Sequence, residues 1–221
     1  MDKVWRQTLH HIIFSMTISI IGSGNVGGAL AQRFVDVGHT VLVGTRFPLS
    51  EKSMRLAAQI GEDRFTSPER AAAQADVIVL ATPALKVVEV VQELDDTTGK
   101  VIIDTMNTVR GMGPAGFSNT TDAILAYTAT RDVVKCFNTT GFENMLNPQF
   151  GEQAADMFTA GDSTRGKAVA TQLATEIGFG TCYDLGGNDT FTLIEQLALN
   201  WINLALFRGH GRGMAFKMLT R

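Results

Sequence analysis

The chain contains few of the residues that build disulfide frameworks or metal sites. Its 221 residues include two cysteines, Cys136 and Cys182, which lie far apart, each in an apolar, strand-like run. Such cysteines are typical of buried thiols rather than of a disulfide or a metal pair, and they suit a reducing compartment. The four histidines show no ligand spacing to each other or to a cysteine. We therefore predict a cytoplasmic protein without a metal site.

Low charge and the lack of a long apolar run exclude two further classes. The net charge is −3 and no run of Lys or Arg occurs, so we expect neither nucleic acid nor a membrane surface as a partner. The apolar patch within residues 1–15 is too short and too mixed for a transmembrane helix or a secretory signal. Because strand-like sequence starts just after Met16, we expect residues 1–15 to be a dispensable extension; a short arm packed on the sheet is the alternative.

The sequence does contain a glycine-rich turn between a predicted strand and a predicted helix. The turn GSGNVG, residues 22–27, follows the β-branched run 17–21. Helical apolar spacing then continues to Gly38, and a second strand, TVLVG, covers 40–44. A lone GxGxxG motif is weak evidence, but this one lies inside a βαβ unit of about thirty residues, the context in which it predicts dinucleotide binding.

The three motif glycines each have a physical role in such a site. Gly22 permits the tight turn, Gly24 lets the backbone approach a pyrophosphate, and Gly27 lets the helix pack close to the strand. The free N–H groups and the positive end of the helix dipole then face the anion. The alternative is a turn that only closes a βα unit.

The end of the second strand predicts which dinucleotide binds. An NAD site usually has Asp or Glu there to bind the ribose 2′-OH, whereas this chain has Gly44-Thr45-Arg46 and no acid until Glu51. A hydroxyl and a permanently charged guanidinium suit a 2′-phosphate. We predict NADP as the cofactor; a surface arginine without a ligand is the alternative.

The alternation of strands and helices predicts an α/β fold. Six strands up to Phe137 indicate a Rossmann-type, doubly wound parallel sheet, and one more βαβ unit is expected to extend it to about eight strands. We predict an NADP-binding domain over 16–185. The predicted strands are 17–21, 40–44, 65–66, 76–81, 100–104, 132–137, 157–160 and 181–185.

Residues 186–221 are predicted to form a C-terminal helix and tail. The helix, expected over 189–207, is apolar on more than one stripe, so it must be buried against the sheet, a partner chain or both. Leu193, Ile202 and Leu206 widen its apolar face, which favours a homodimer.

Polar residues directly follow three successive strands: Thr82-Pro83, Thr105-Met106-Asn107 and Asn138-Thr139-Thr140. Ligands of doubly wound sheets bind outside the carboxyl ends of the strands. Each segment alone is as easily a cap or a turn, but together they favour a cofactor site that binds ribose and carboxamide groups.

Five segments together resemble a known family. They are GSGNVGGAL (22–30), VGTR (43–46), ATP (81–83), VVKCFNTTG (133–141) and FRGHGRGMAFKML (207–219). The chain resembles the small bacterial and archaeal NADP oxidoreductases of the deazaflavin type, which pass hydride between NADP(H) and coenzyme F420. The reductase domain of the STEAP metalloreductases looks similar and carries a related KxFNT segment. The resemblance covers residues 17–219, and KCFNTTG and the tail are its most specific parts.

The resemblance implies roles for the motif residues. Ser23, Gly24, Asn25 and Val26 would hold the pyrophosphate, and Thr45 with Arg46 the 2′-phosphate. Thr82, Pro83, Asn138 and Thr139 would line the nicotinamide end. The chain departs from the archaeal enzymes in 104–116 and in Phe142-Glu143-Asn144, loops that would contact the second substrate. The acceptor, coenzyme F420 or a flavin, therefore stays open.

Hydride transfer between two cofactors needs little from side chains, because the reactive atoms belong to the cofactors. We accordingly name no acid or base; Lys135 is a candidate for electrostatic help, with a structural role as the alternative.

A reductase of a small imine or carbonyl, as in pyrroline-5-carboxylate reductase, usually needs a larger helical domain than the roughly thirty-five residues after Leu185. A homodimer would compensate for that shortage. A non-catalytic NADP sensor is the third possibility, although the sequence offers no appended regulatory module.

Overall fold

The β-branched runs of the sequence form strands in the computed structural model, which describes residues 15–221. The prediction that residues 1–15 are dispensable lies, apart from Ser15, outside the described residues. The strands are β1 (Thr17–Ile21), β2 (Thr40–Gly44), β3 (Phe65–Thr66), β4 (Val77–Leu80), β5 (Val101–Asp104), β6 (Val133–Cys136), β7 (Gln149–Phe150), β8 (Gln153–Ala154), β9 (Met157–Ala160) and β10 (Cys182–Asp184).

The helices connect these strands and cover both faces of the sheet. They are α1 (Asn25–Asp36), α2 (Glu51–Ile60), α3 (Pro68–Gln74), α4 (Val87–Gln92), α5 (Thr120–Tyr127), α6 (Phe142–Leu146), α7 (Thr164–Glu176) and α8 (Phe191–Ile202). A π-helical turn, Asn203–Phe207, continues α8. No helix within residues 15–221 combines the length and apolar character that crossing a membrane requires.

Eight strands form one sheet in the order β10-β9-β6-β5-β4-β1-β2-β3. Neighbouring strands run parallel except at the junction of β6 and β9. The predicted doubly wound sheet of about eight strands is thus confirmed, with one reversal that the sequence did not predict. A parallel connection from β6 to β9 would need a crossover helix. Residues 137–156 form α6 and the β7–β8 hairpin instead. Consequently β9 starts at the edge where β6 ends.

Alternate residues of the central strands pack on opposite faces, as the two-residue period of a strand requires. In β4, Val77 and Val79 belong to the core beneath α1 and α7. Ile78 and Leu80 belong to the core beneath α3, α4 and α5. Burial of all four residues follows from helices on both faces.

Helix α8 packs on the β9 end of the same sheet. Phe191 and Ile194 are fully buried and contact Phe158 and Ala160 of β9. Its outer side chains, Leu193 among them, are exposed. The helix thereby brings its last turn and the tail behind it to the carboxyl edge of the central strands, next to the loop after β6.

Candidate cofactor-binding site

The glycine turn after β1 has the geometry that its motif predicts. Gly22 has φ +112°, and a Cβ there would lie 2.5 Å from the carbonyl oxygen of Ala81. A Cβ on Gly27 would lie 1.9 Å from the carbonyl oxygen of Gly22, so only glycine lets α1 approach β1 this closely. A Cβ on Gly24 would meet nothing within 4 Å. The turn therefore has one side closed by packing and one side open to a ligand.

The open side faces the start of α1. Gly24 precedes the helix, and no side chain of residues 15–221 caps its first N–H groups. Uncapped N–H groups at the start of a twelve-residue helix bind anions, because they donate hydrogen bonds and lie at the positive end of the dipole. This arrangement fits a pyrophosphate, so the residues present fit a dinucleotide.

A chain of hydroxyl groups joins the glycine turn to the end of β2. The Ser23 hydroxyl lies 3.3 Å from that of Thr45 and 2.7 Å from that of Ser53 in α2. Ser53 Oγ also lies 2.8 Å from the carbonyl oxygen of Phe47, which accepts its hydrogen bond. Sequence reasoning missed Ser53, whose only signal is its place three residues after the helix-capping Ser50.

Most of the predicted cofactor residues at this end of the sheet share one cavity of about 480 Å³. The cavity has the glycine turn at its base, the loop after β2 on one side and the segment after β4 on the other. Its predicted members are Gly22, Ser23, Gly24, Thr45, Arg46, Thr82 and Pro83, and its other lining residues include Lys86 and Val90. We call it the first cavity.

Arg46 reaches across the mouth of the first cavity to α4. Its guanidinium forms ion pairs with Glu89 and with Glu93, the residue after the last turn of α4. The hydrogen bond to Glu89 is the main cause of the raised pKa of Arg46, and Lys86 followed by Arg46 lowers the pKa of Glu89. The sequence predicts that Arg46 binds a 2′-phosphate, and the structure shows its guanidinium held by two carboxylates.

A second cavity of about 400 Å³ lies at the carboxyl ends of β5 and β6. Val26, Asn107 and Asn138 are the predicted site residues that line it. Aromatic side chains from α6, α8 and the π-helical turn form its other walls, namely Phe142, Trp201 and Phe207. The cavity thus combines amide groups with a broad apolar surface.

Asn107 and Asn138 bind each other at this edge. The Asn107 side-chain amide donates to the backbone carbonyl oxygen of Asn138 at 2.8 Å. The Asn138 side-chain amide donates to Asn107 Oδ1 at 2.9 Å. Asn138 Oδ1 is buried without a hydrogen-bond partner among the described residues. Such an orphan acceptor costs free energy unless a donor reaches it.

Backbone strain fixes the position of Asn138. The preceding residue, Phe137, is fully buried and has φ +60°, a conformation that is costly for a bulky side chain. Its ring packs edge-on against Phe34 and Phe179. This packing holds the strained backbone and so directs the next side chain towards the second cavity.

Thr139 lies apart from both cavities, contrary to its predicted place at the nicotinamide end. It is buried, and its hydroxyl is 3.9 Å from Met157 Sδ. Thr140 lines the second cavity instead.

Lys135 is fully buried in a cluster of charged groups. Its ammonium lies 2.7 Å from Asp104, 2.8 Å from Glu195 of α8 and 2.8 Å from the carbonyl oxygen of Met106. Glu195 also accepts a hydrogen bond from the Thr108 backbone N–H at 3.0 Å. The lysine lines neither cavity. It therefore supports the loop after β5 from within the core, which matches the structural alternative.

A glycine turn of this geometry at the carboxyl edge of a doubly wound sheet defines the class of a dinucleotide-binding protein. Comparison with known proteins narrows the class. A family model described as "NADP oxidoreductase coenzyme F420-dependent" matches residues 17–108. An F420-dependent NADP reductase from Methanothermobacter thermautotrophicus is 28% identical over 214 residues, covering 87% of this chain and 90% of that protein.

Two further relatives agree with this result. A solved structure from Arthrobacter sp. FB24, provisionally assigned as an F420-dependent NADP reductase, superposes with a TM-score of 0.78 at 25% identity, covering 93% of this chain and all of that one. Metalloreductase STEAP3 from Rattus norvegicus is 24% identical across 82% of this chain, which spans only 36% of that protein. The resemblance to the deazaflavin-type NADP oxidoreductases is confirmed, and the chain is an NADP-dependent oxidoreductase.

Proposed function

We propose that this protein transfers hydride between NADP(H) and a planar acceptor of the deazaflavin or flavin class. The observation that carries the proposal is the second cavity, whose lining combines the Asn107 and Asn138 amides with an aromatic wall. An amide acceptor suits the carboxamide of a nicotinamide, and the apolar wall suits a flat conjugated ring stacked on it. Val26, which lines the same cavity, links it to the glycine turn.

The residues that would hold NADP extend along the carboxyl edge of the sheet. The glycine turn and the start of α1 would bind the pyrophosphate, and Ser23, Thr45 and Arg46 the 2′-phosphate. Asn107 and Asn138 would orient the nicotinamide end. When bound, NADPH supplies the hydride; the protein contributes position and a shaped, largely apolar cleft from which water is excluded.

The walls of the second cavity also favour an acceptor that carries negative charge. The Arg110 guanidinium lies 4.8 Å from the centre of the Phe207 ring, and Arg212 lies 5.5 Å from that of Trp201. Arg212 is paired with Glu143, whereas Arg110 has no ion pair within residues 15–221. Cations held against aromatic faces at the cavity rim suit an anionic flavin or deazaflavin.

The assembly and location of the protein are also proposals. We infer a homodimer from side chains of the C-terminal helix and turn that remain exposed, Leu193 and Leu206. Helix α8 buries its opposite side on its own sheet, so a partner chain would cover only this outer face. Two unpaired cysteines within the described residues suit the cytoplasm.

Replacement of Arg46 by alanine tests the cofactor assignment. We expect the Kd of NADPH to rise roughly tenfold to a hundredfold, because charge-assisted hydrogen bonds to the 2′-phosphate are lost. The Kd of NADH should change less than about twofold, since NADH carries no 2′-phosphate. Fluorescence titration of both nucleotides measures the two constants. Equal losses for both would overturn the assignment of the 2′-phosphate to this residue.

A further inference from the structure

All three guanidinium nitrogens of Arg46 are engaged by carboxylates. Nη2 lies 2.7 Å and Nε 2.9 Å from the two oxygens of Glu93, which is the bidentate arrangement of an arginine–carboxylate pair. Nη1 pairs with Glu89. A phosphate that binds this guanidinium must therefore replace at least one carboxylate or share nitrogens with it.

These ion pairs join the two walls of the first cavity. Arg46 belongs to the loop after β2, whereas Glu89 and Glu93 lie four residues apart on the segment that starts after β4. Lys86 and Val90 of that segment line the cavity opposite Arg46. Arg46 thus bridges the cavity on the side where Thr45 and Ser23 would meet a 2′-phosphate.

The bridge is weak enough to open. The side chains of Arg46, Glu89 and Glu93 are 35%, 45% and 42% exposed, and exposed ion pairs contribute little to stability. The charges nearby also cancel, because Lys86 pairs with Glu89 at 2.8 Å and balances one of the two carboxylates. A dianionic phosphate therefore meets a site of about zero net charge instead of a basic one.

We propose that Glu89 and Glu93 are specificity-determining residues that compete with the cofactor's 2′-phosphate for Arg46. They lower the affinity for NADPH without affecting that for NADH, and so set how strongly the protein prefers the phosphorylated cofactor. This inference rests on the proposed function, in which Arg46 binds the 2′-phosphate.

The test is equilibrium binding to the variants Glu89→Gln, Glu93→Gln and the double variant, without an acceptor. We expect each single variant to bind NADPH about two- to fivefold more tightly, and the double variant roughly tenfold, as for exposed ion pairs. The Kd of NADH should stay within about twofold. Adenosine 2′,5′-bisphosphate, which lacks the nicotinamide, should follow NADPH. The gain should shrink as sodium chloride is raised, because salt screens exposed charges.

Glu152→Gln is the matched control, since it removes one exposed carboxylate from the β7–β8 hairpin, remote from the first cavity. An equal gain in this control would mean that net charge alone tightens binding, and would overturn the inference. Unchanged or weaker NADPH binding in the Glu89 and Glu93 variants would also overturn the inference. The carboxylates would then either have no effect on NADPH binding or hold Arg46 in the position that binds the phosphate.

Arg46→Ala separates failure of the inference from failure of the proposed function. If that variant loses the preference for NADPH while the glutamine variants show no gain, only the competition by Glu89 and Glu93 is wrong. If Arg46→Ala leaves the preference intact, the 2′-phosphate lies elsewhere and both statements fail. Thermal unfolding of each variant establishes that the compared proteins are folded.

Discussion

Gly27 and Gly28 are neighbours in α1, yet a methyl group would meet different surroundings at the two positions. At Gly27 it would overlap the carbonyl oxygen of Gly22 at 1.9 Å, whereas at Gly28 it would touch only Leu56 at 3.8 Å. We therefore expect Gly27→Ala to destabilise the protein by about 1–3 kcal/mol or more, because the turn must move. NADPH binding should be lost with it.

Gly28→Ala is the control for this prediction. Alanine is the better helix former by about 1 kcal/mol, so the variant should be as stable as the parent or slightly more so. Urea unfolding measures both effects. If the two variants lose the same stability, the close approach of α1 to β1 is not what requires glycine at position 27.

Lys135 gives a second prediction at the scale of the residue. In Lys135→Met, Asp104 and Glu195 stay buried without their cation, so the free energy of unfolding should fall by about 3–5 kcal/mol. Lys167→Met removes a partly exposed lysine paired with Asp184 and should cost about 0–1 kcal/mol. Denaturant titration distinguishes them. Similar small losses would show that the buried lysine is not what stabilises the two carboxylates.

Single residues also show where sequence reasoning stops. That the glycine turn, Thr45, Arg46 and Asn138 lie beside the two cavities could be predicted, because a motif or the end of a strand marks them. Ser53 and the carboxylates that hold Arg46 could not, because their partners are distant in the sequence and no local pattern links them. That Thr139 lines neither cavity could not be predicted either, because the side on which a loop residue points depends on the backbone angles after β6.

At the scale of elements, a buried carboxylate is one of the groups that hold the C-terminal tail on the sheet. Asp156 accepts hydrogen bonds from the Lys217 ammonium at 2.8 Å and from the Met218 backbone N–H at 2.8 Å. Burial alone would raise the pKa of Asp156, but the Lys217 ammonium and the amides of Thr181 and Met218 outweigh it, so the pKa is lowered. The charged carboxylate therefore stabilises the docked tail.

Because the pKa of Asp156 is lowered, its contribution to the free energy of unfolding decreases at low pH. Its contribution is fully present above the ordinary aspartate pKa of about 4 and is lost as the pH falls through the lowered value. At pH 7 we expect Asp156→Asn to reduce the free energy of unfolding by about 1–3 kcal/mol. That difference should shrink as the pH falls below the ordinary aspartate pKa of about 4. A difference that is constant from pH 7 to pH 3 would contradict the role of the charge.

The course of the chain after β6 marks how far the elements themselves could be predicted. Most of the eight strands of the sheet follow from apolar, β-branched runs. The reversal at β9 does not, because strand direction depends on where α6 and the hairpin leave the chain. A hydrophobic pattern predicts that a buried strand is present, but not whether that strand runs parallel or antiparallel to its neighbour.

At the scale of the whole molecule, both cavities lie along one edge of the sheet. The first cavity has two basic side chains in its walls, Arg46 and Lys86, and the second is bounded by aromatic side chains and the tail. The glycine turn stands between them, with Ser23 in the first and Val26 in the second. A cofactor along this edge would have its phosphorylated ribose at one end and its nicotinamide at the other, where an acceptor can stack.

The most direct test is NADPH oxidation by the purified protein, with coenzyme F420, FMN, FAD and ferric chelates each offered as acceptor under anaerobic conditions. We predict saturable turnover with coenzyme F420 or a flavin. Asn138→Leu should lower kcat with that acceptor by roughly tenfold or more, since the orientation of the nicotinamide is lost. Tight NADPH binding with no turnover on any of these acceptors would contradict the proposed hydride transfer, and would favour a reductase of small imines or carbonyls, or a sensor.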